Sequence, residues 1–197
     1  MGEHYFSQKP SSAHEARAFV YHYQNRALRF ETDAGVFSKS RVDRGTALLH
    51  GALPMSFDGR ALDLGCGWGA IGVWMAAMWP SAQVVMADIN ERAVHLAKEN
   101  IRRNGLTAEV IQSDGLSSVS GMFDLIATNP PIRAGKAVIF RLYEHSVSSL
   151  NVGGALYIVI QKKQGAESTL SLIRQLMADV AVIEKSGGYW VIRGIKK

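Results

Sequence analysis

The chain of 197 residues contains one cysteine, Cys66. It therefore forms no internal disulfide, and it carries no C-x-x-C or H-E-x-x-H spacing that would hold a zinc ion, so no metal is expected. A reducing, intracellular setting is the expectation. No stretch approaches the roughly eighteen consecutive apolar residues that a membrane-spanning helix needs, and Met1-Gly2-Glu3-His4-Tyr5-Phe6 contains no apolar signal core. The expected location is the cytoplasm, with no membrane partner. With 47% hydrophobic and 20% charged residues, neither disorder nor a fibrous repeat is indicated. Nor is the chain long enough for two full catalytic domains; one α/β domain with a short extension is the default.

What is present is an excess of positive charge. The formal net charge is +5, which favours a polyanionic partner such as nucleic acid without proving one, so the position of the charges must decide.

Residues 1 to 56 read as an amino-terminal extension. Phe19-Val20-Tyr21-His22-Tyr23 and Leu28-Arg29-Phe30-Glu31-Thr32 alternate like two strands around Gln24-Asn25-Arg26. A glycine-marked turn follows at Asp33-Ala34-Gly35-Val36-Phe37-Ser38, then a helix from about Asp43 to Leu53 that Pro54 stops. Residues 57 to 197 alternate strand and helix. Strands are expected at 61–64, 83–87, 108–112, 123–128, 154–160, 179–184 and 189–195, and helices at 69–79, 90–103, 136–150 and 165–177. After Asn90, Ala93, Val94, Ala97 and Ile101 recur at helical spacing, which leaves His95 on the solvated side. Such alternation implies a parallel sheet covered by helices on both faces with right-handed crossovers.

Ala61-Leu62-Asp63-Leu64 runs into Gly65-Cys66-Gly67-Trp68-Gly69-Ala70. Glycines here turn the backbone tightly, expose amide N–H groups and let a ligand approach with no Cβ in the way. Gly65, Gly67 and Ala70 also satisfy G-x-G-x-x-G/A, with the acidic Asp88 at the ribose-binding distance. On this stretch a nicotinamide enzyme and an S-adenosylmethionine enzyme are both open. At the carboxyl end, Val180 to Glu184 and Tyr189 to Arg193 are separated by only Lys185-Ser186-Gly187-Gly188. That is too short for a crossover helix, so they pair as an antiparallel hairpin. A seven-stranded, mostly parallel, doubly wound Rossmann-like sheet with such a hairpin is the class I methyltransferase architecture, whereas a nicotinamide domain ends in another parallel strand.

Ligands of a doubly wound sheet sit beyond the carboxyl ends of its strands. Those positions hold Asp63-Leu64-Gly65, Asp88-Ile89-Asn90, Ser113-Asp114-Gly115 and Asn129-Pro130-Pro131-Ile132. The order D-L-G-C-G-W-G, A-D-I-N, S-D-G and T-N-P-P-I resembles that of S-adenosylmethionine-dependent methyltransferases. With Tyr5-Phe6-Ser7-Gln8-Lys9-Pro10 and the Thr32 to Ser38 segment, the chain is similar along nearly its whole length to the small-domain ribosomal RNA guanine-N2 methyltransferases.

The resemblance implies S-adenosylmethionine as cofactor and ribosomal RNA, that of the small subunit favoured, as partner. It places Asp63 and the Gly65-Cys66-Gly67 backbone at the methionine end, Asp88 on the ribose hydroxyls, Ile89 against the adenine, and Asp114 with Ser113 at its amino group. Phe37 would close over cofactor or base. Asn129 and Pro130 would accept the two N–H bonds of an exocyclic amine, with Pro131 and Ile132 completing the motif. Ile132 stands where ribosomal relatives often have Phe, which removes an aromatic stacking contribution of roughly 1 to 3 kcal/mol. Arg133, Lys136 and Arg141 after the fourth strand, and Lys162 and Lys163 after the fifth, share one edge of the sheet and suit an RNA backbone. Methylation of a protein glutamine or an adenine amine is the enzymatic alternative, and a non-catalytic RNA-binding module is the alternative of another class.

Overall fold

The computed structural model describes residues 15–36, 38 and 40–197. The segment from Tyr5 to Pro10 and the residue Phe37, named above, lie outside the described residues.

Two antiparallel strands, β1 (Arg17–Tyr23) and β2 (Arg26–Thr32), form the amino-terminal hairpin. It is longer than the alternation suggests, because only Gln24 and Asn25 remain in the turn and Gln24 takes a positive φ of 51°. Helix α1 (Arg44–Ala52) follows, capped by Asp43. The remainder alternates as β3 (Arg60–Leu64), α2 (Ala70–Met78), β4 (Gln83–Asp88), α3 (Glu91–Arg103), β5 (Glu109–Gln112) and β6 (Phe123–Thr128). It continues through α4 (Lys136–Ser148), β7 (Leu150–Gln161), α5 (Ala166–Leu176), β8 (Asp179–Ser186) and β9 (Tyr189–Ile195).

Strands β3 to β9 build one sheet in the order β5-β4-β3-β6-β7-β9-β8. β3 pairs parallel with both β4 and β6, so the winding direction reverses beside it. β9 pairs antiparallel with β7 and with β8, which makes the carboxyl-terminal hairpin part of the sheet. β7 starts at Leu150, ahead of the expected 154. A glycine pair, Gly153-Gly154, weakens strand character there, but a register shift between Phe123 and Leu125 lets the chain pair across it, Phe123 with Leu150 and Leu125 with Ala155.

Two apolar layers flank the sheet. One joins Leu49, Val73, Trp74, Met75, Met86 and Ala97, and the other joins Leu62, Phe123, Ile126, Tyr143, Ile158 and Ile173. α1 lies against β7 and β9 on the same face as α2, so the extension supplies a helix of that face. α3 buries Ala93, Val94, Ala97 and Ile101, as its periodicity requires, and leaves His95 exposed. Among the described residues no helix is long and apolar enough to cross a membrane, and no cluster of three or more metal-ligating side chains occurs.

Candidate active site

A cavity of about 610 Å³ opens where the carboxyl ends of β3, β4, β6 and β7 meet, a size suited to a small-molecule ligand. Its wall brings together Gly65, Cys66 and Gly67 after β3, Asp88 and Ile89 after β4, and Ser113 and Asp114 after β5. Asn129, Pro130, Pro131, Ile132 and Arg133 after β6 complete the set. These are twelve residues scattered over seventy positions of sequence, gathered because parallel strands end at one edge.

The glycine turn works differently from the expectation of exposed donors. The N–H groups of Gly65 and Cys66 both donate to the Ala87 carbonyl, at 2.8 and 3.0 Å, and that of Gly67 donates to Asp88 Oδ2 at 2.8 Å. With its amides consumed by β4, the turn cannot cradle a pyrophosphate as a dinucleotide loop does. What it offers is bare backbone. Gly65 and Gly67 hold φ of +71° and +56°, and a methyl group on either would meet no protein atom within 4 Å, only the cavity.

Asp88 is half-buried and fixed at both oxygens, since Oδ1 accepts the Asn90 N–H at 2.9 Å. Burial raises its pKa against the lowering effect of these backbone donors. Asp63 is absent from the cavity wall, which corrects its expected place. Alternation along β3 turns Ala61 and Asp63 toward α2, and Asp63 is fully buried there with Oδ2 accepting the Gly72 N–H at 2.7 Å. Its Oδ1 has no hydrogen-bond partner among the described residues, and desolvation pushes the carboxyl up to about 7. The Cys66 thiol, buried near both carboxylates, is raised well above its ordinary value and is no nucleophile.

At the other end of the cavity Asn129 leaves β6 half-buried. Its Nδ2 lies 3.0 Å from Thr46 Oγ1 and 3.3 and 3.4 Å from the two oxygens of Asp43, the cap of α1. Asp43 and Thr46 both line the cavity, and sequence reasoning missed them. An aspartate three residues ahead of a threonine at a helix start signals a cap, but nothing local signals a partner 86 positions away. The Pro131 carbonyl accepts the Ala134 N–H at 2.8 Å, while that of Pro130 takes no donor among the described residues.

The turn before Phe37 is held over this edge. Asn90 caps α3 with Oδ1 and donates from Nδ2 to the Gly35 carbonyl at 3.1 Å, and Arg92 donates to the Ala34 carbonyl at 2.6 Å. Val36 and Ser38, on either side of Phe37, line the cavity. Of the basic residues, Arg133 reaches the wall. Lys136, Arg141, Lys162 and Lys163 are exposed beyond it, Lys136 over the Phe140 ring and Lys162 3.9 Å from Glu167.

A sheet of this strand order, with a glycine turn whose amides are tied to the next strand and an N-P-P-I turn facing it across one cavity, defines a class I methyltransferase. The chain belongs to the methyltransferase small domain family, whose model matches residues 27–193. It is similar to the Bacillus subtilis protein YbxB, 42% identical with both chains covered in full. It is also similar to ribosomal RNA small subunit methyltransferase C of Haemophilus influenzae, 34% identical across 96% of this chain and 59% of that protein. Among solved structures it is similar to the T. thermophilus 16S rRNA N2 G1207 methyltransferase in complex with AdoMet and guanosine. That match has a TM-score of 0.84 and 26% identity, and covers 92% of this chain and 51% of the other. The chain thus spans little more than half the length of these two methyltransferases and the whole of the Bacillus protein.

Proposed function

We propose that the chain transfers a methyl group from S-adenosylmethionine to the exocyclic N2 amine of a guanine in ribosomal RNA, that of the small subunit favoured, in the cytoplasm. One observation carries the reading. A single cavity has bare glycine backbone and a ribose-competent carboxylate at one end, and at the other an asparagine whose amide nitrogen is already engaged, leaving its oxygen for an acceptor.

The residues present fit the cofactor. Gly65 and Gly67 leave room for its methionine end, and the Asp88 carboxylate, which takes backbone donors from Gly67, Asn90 and Ile89, keeps acceptor capacity for a ribose hydroxyl. Ile89 and Asp114 stand beside them for the adenine and its amino group. Bound there, the cofactor supplies an electrophilic methyl on a sulfonium. An exocyclic amine is a poor nucleophile because its lone pair is delocalised into the ring. Asn129 Oδ1 and the Pro130 carbonyl would accept its two N–H bonds, so the nitrogen pyramidalises and aims its lone pair at the methyl. The amine, cationic once methylated, would give up its proton to solvent without a strong base, so what Asn129 and Pro130 would contribute is position. Positioning of this kind can supply about 7 to 11 kcal/mol. Arg133 on the wall and the exposed lysines outside it suit an RNA backbone.

The test is incubation with labelled S-adenosylmethionine and either undermethylated ribosomal subunits or translation release factors. Label in N2-methylguanine supports the proposal; label only in protein overturns it. The variant Asn129→Ala is expected to lose transfer while keeping cofactor affinity in calorimetry, and an equal loss of that affinity would show its role to be misassigned.

A further inference from the structure

We infer that Asp43 and Thr46, which belong to the amino-terminal extension, are positioning residues that lock the amide of Asn129 with its oxygen toward the acceptor. The inference deepens the function proposed above and rests on it for the identity of the acceptor.

A side-chain amide can turn over, exchanging a donor for an acceptor at the same place. Which way Asn129 points therefore decides whether its end of the cavity accepts N–H bonds or repels them. An ionised carboxylate has no hydrogen to give, so of the two ends of the amide only the NH2 can face Asp43 favourably. The nitrogen lies 3.3 and 3.4 Å from the Asp43 oxygens. The Thr46 hydroxyl removes the remaining freedom. It donates to Asp43 Oδ2, so its lone pair is what meets the Asn129 nitrogen at 3.0 Å. The turned-over amide would set an oxygen against a carboxylate and waste both contacts.

The clamp is itself fixed. Asp43 caps α1, with Oδ1 accepting the N–H groups of Gly45 at 2.9 Å and Thr46 at 3.2 Å. The first turn of α1 is pressed on β9 so closely that a Cβ on Gly45 would stand 2.7 Å from the Tyr189 ring. The orientation of Asn129 is thus set from outside the parallel sheet, through a helix end that cannot shift without leaving β9.

Asp43→Asn separates the two duties of this residue. Asparagine caps a helix as well as aspartate does, but it brings an NH2 to the place of one carboxylate oxygen, so donor meets donor at Thr46 or Asn129. Thr46→Val removes the hydroxyl at nearly constant shape, and Thr46→Ser retains it. With ribosomal subunits as acceptor, Asp43→Asn and Thr46→Val are expected to lower kcat about tenfold or more, the scale of loss that slight misplacement of a reacting group produces. Cofactor affinity and melting temperature should stay as in the parent, and Thr46→Ser should restore most of the rate. Wild-type kcat in Asp43→Asn would overturn the inference. A readout independent of the acceptor runs beside it: the side-chain amide signals of Asn129 in a ¹⁵N-labelled sample, assigned by their loss in Asn129→Ala. A dispersed, slowly exchanging pair that collapses in Asp43→Asn supports the lock, and a pair indifferent to the substitution defeats it. If the parent protein methylates no guanine while the amide signals behave as expected, the proposed acceptor falls and the lock stands.

Discussion

Asp63 and Asp88 are both aspartates beside the glycine turn, yet only Asp88 faces the cavity. The sequence marks both as candidates, Asp88 by its ribose-binding spacing and Asp63 for the methionine end by resemblance; strand alternation separates them, turning Asp63 under α2 with one oxygen unpartnered among the described residues. The cost is electrostatic and shows in its titration. Its folded pKa, near 7, lies above the ordinary 3.8, so between about pH 4 and 7 the folded chain keeps a proton that the unfolded chain has lost. Stability from this group is present at low pH and is lost as pH rises through 7, at about 1.4 kcal/mol per pH unit across that window. Asp63→Asn keeps an acceptor for the Gly72 N–H and carries no charge. In urea denaturation of the ligand-free protein, the stability of the variant relative to the parent should therefore climb with pH from about 4 and level off above 7. His50, fully buried and stacked on Trp74, leans the other way. Its pKa is lowered to about 3, so its contribution is lost as pH falls below 6.5, but it is common to both proteins and cancels in the difference. Parallel pH profiles would mean that Asp63 stays ionised in the fold.

Strands and helices of the repeating part were legible because each carries its own period; β9 ends where its alternation ends, and α3 begins at its capping asparagine. What the periods did not disclose is how the extension attaches. Asn100 on α3 and Asn104 at its carboxyl-terminal cap sit one turn apart, and a helical turn of four residues, about 6 Å, nearly matches two residues of a strand, about 6.8 Å. The two amides use this match to pair with the open edge of β2. Asn100 accepts the Glu31 N–H at 2.8 Å and donates to its carbonyl at 2.9 Å, and Asn104 does the same at Arg29, at 2.9 and 2.7 Å. Asn100 also donates to the Trp68 carbonyl at 2.8 Å, joining hairpin to glycine turn. It is fully buried, a position that helical periodicity alone would fill with an apolar residue. Asn100→Ala removes the side-chain partners of the Glu31 N–H and carbonyl and one donor to the Trp68 carbonyl, and by the cost of such groups should destabilise the protein by about 3 kcal/mol. Hydrogen exchange should accelerate first at Glu31 and in the rest of β2. An exchange pattern that rises evenly over the whole chain instead would show that the hairpin is not held locally by this residue.

At the scale of the molecule, topology decides which charges act together. β6 and β7 are parallel neighbours, so the segments leaving their carboxyl ends, with Arg133 on one and Lys162 and Lys163 on the other, open onto the same side of the cavity. Arg102, in the last turn of α3, lies at the opposite end of the strands, because a crossover helix runs back toward their amino ends. The excess of positive charge visible in the sequence is therefore divided between two edges that differ in their reach to the cavity, which composition could not reveal. If the cavity edge tracks an RNA backbone, binding releases condensed counterions, and log K falls against log salt with a slope of about 0.7 per neutralised phosphate on single strands and 0.9 on duplex. Arg133→Ala and Lys163→Ala should each reduce the magnitude of that slope by about one unit at most, measured by fluorescence anisotropy with a ribosomal RNA fragment across a salt series. Arg102→Ala removes an equal charge and should leave the slope unchanged. Equal effects from all three would mean that binding responds to net charge alone, and no effect from Arg133 or Lys163 would make this edge an ordinary solvated rim. The comparison is sharp because the three side chains are exposed, so none of the substitutions disturbs the packed layers that place Asn129 opposite the glycine turn.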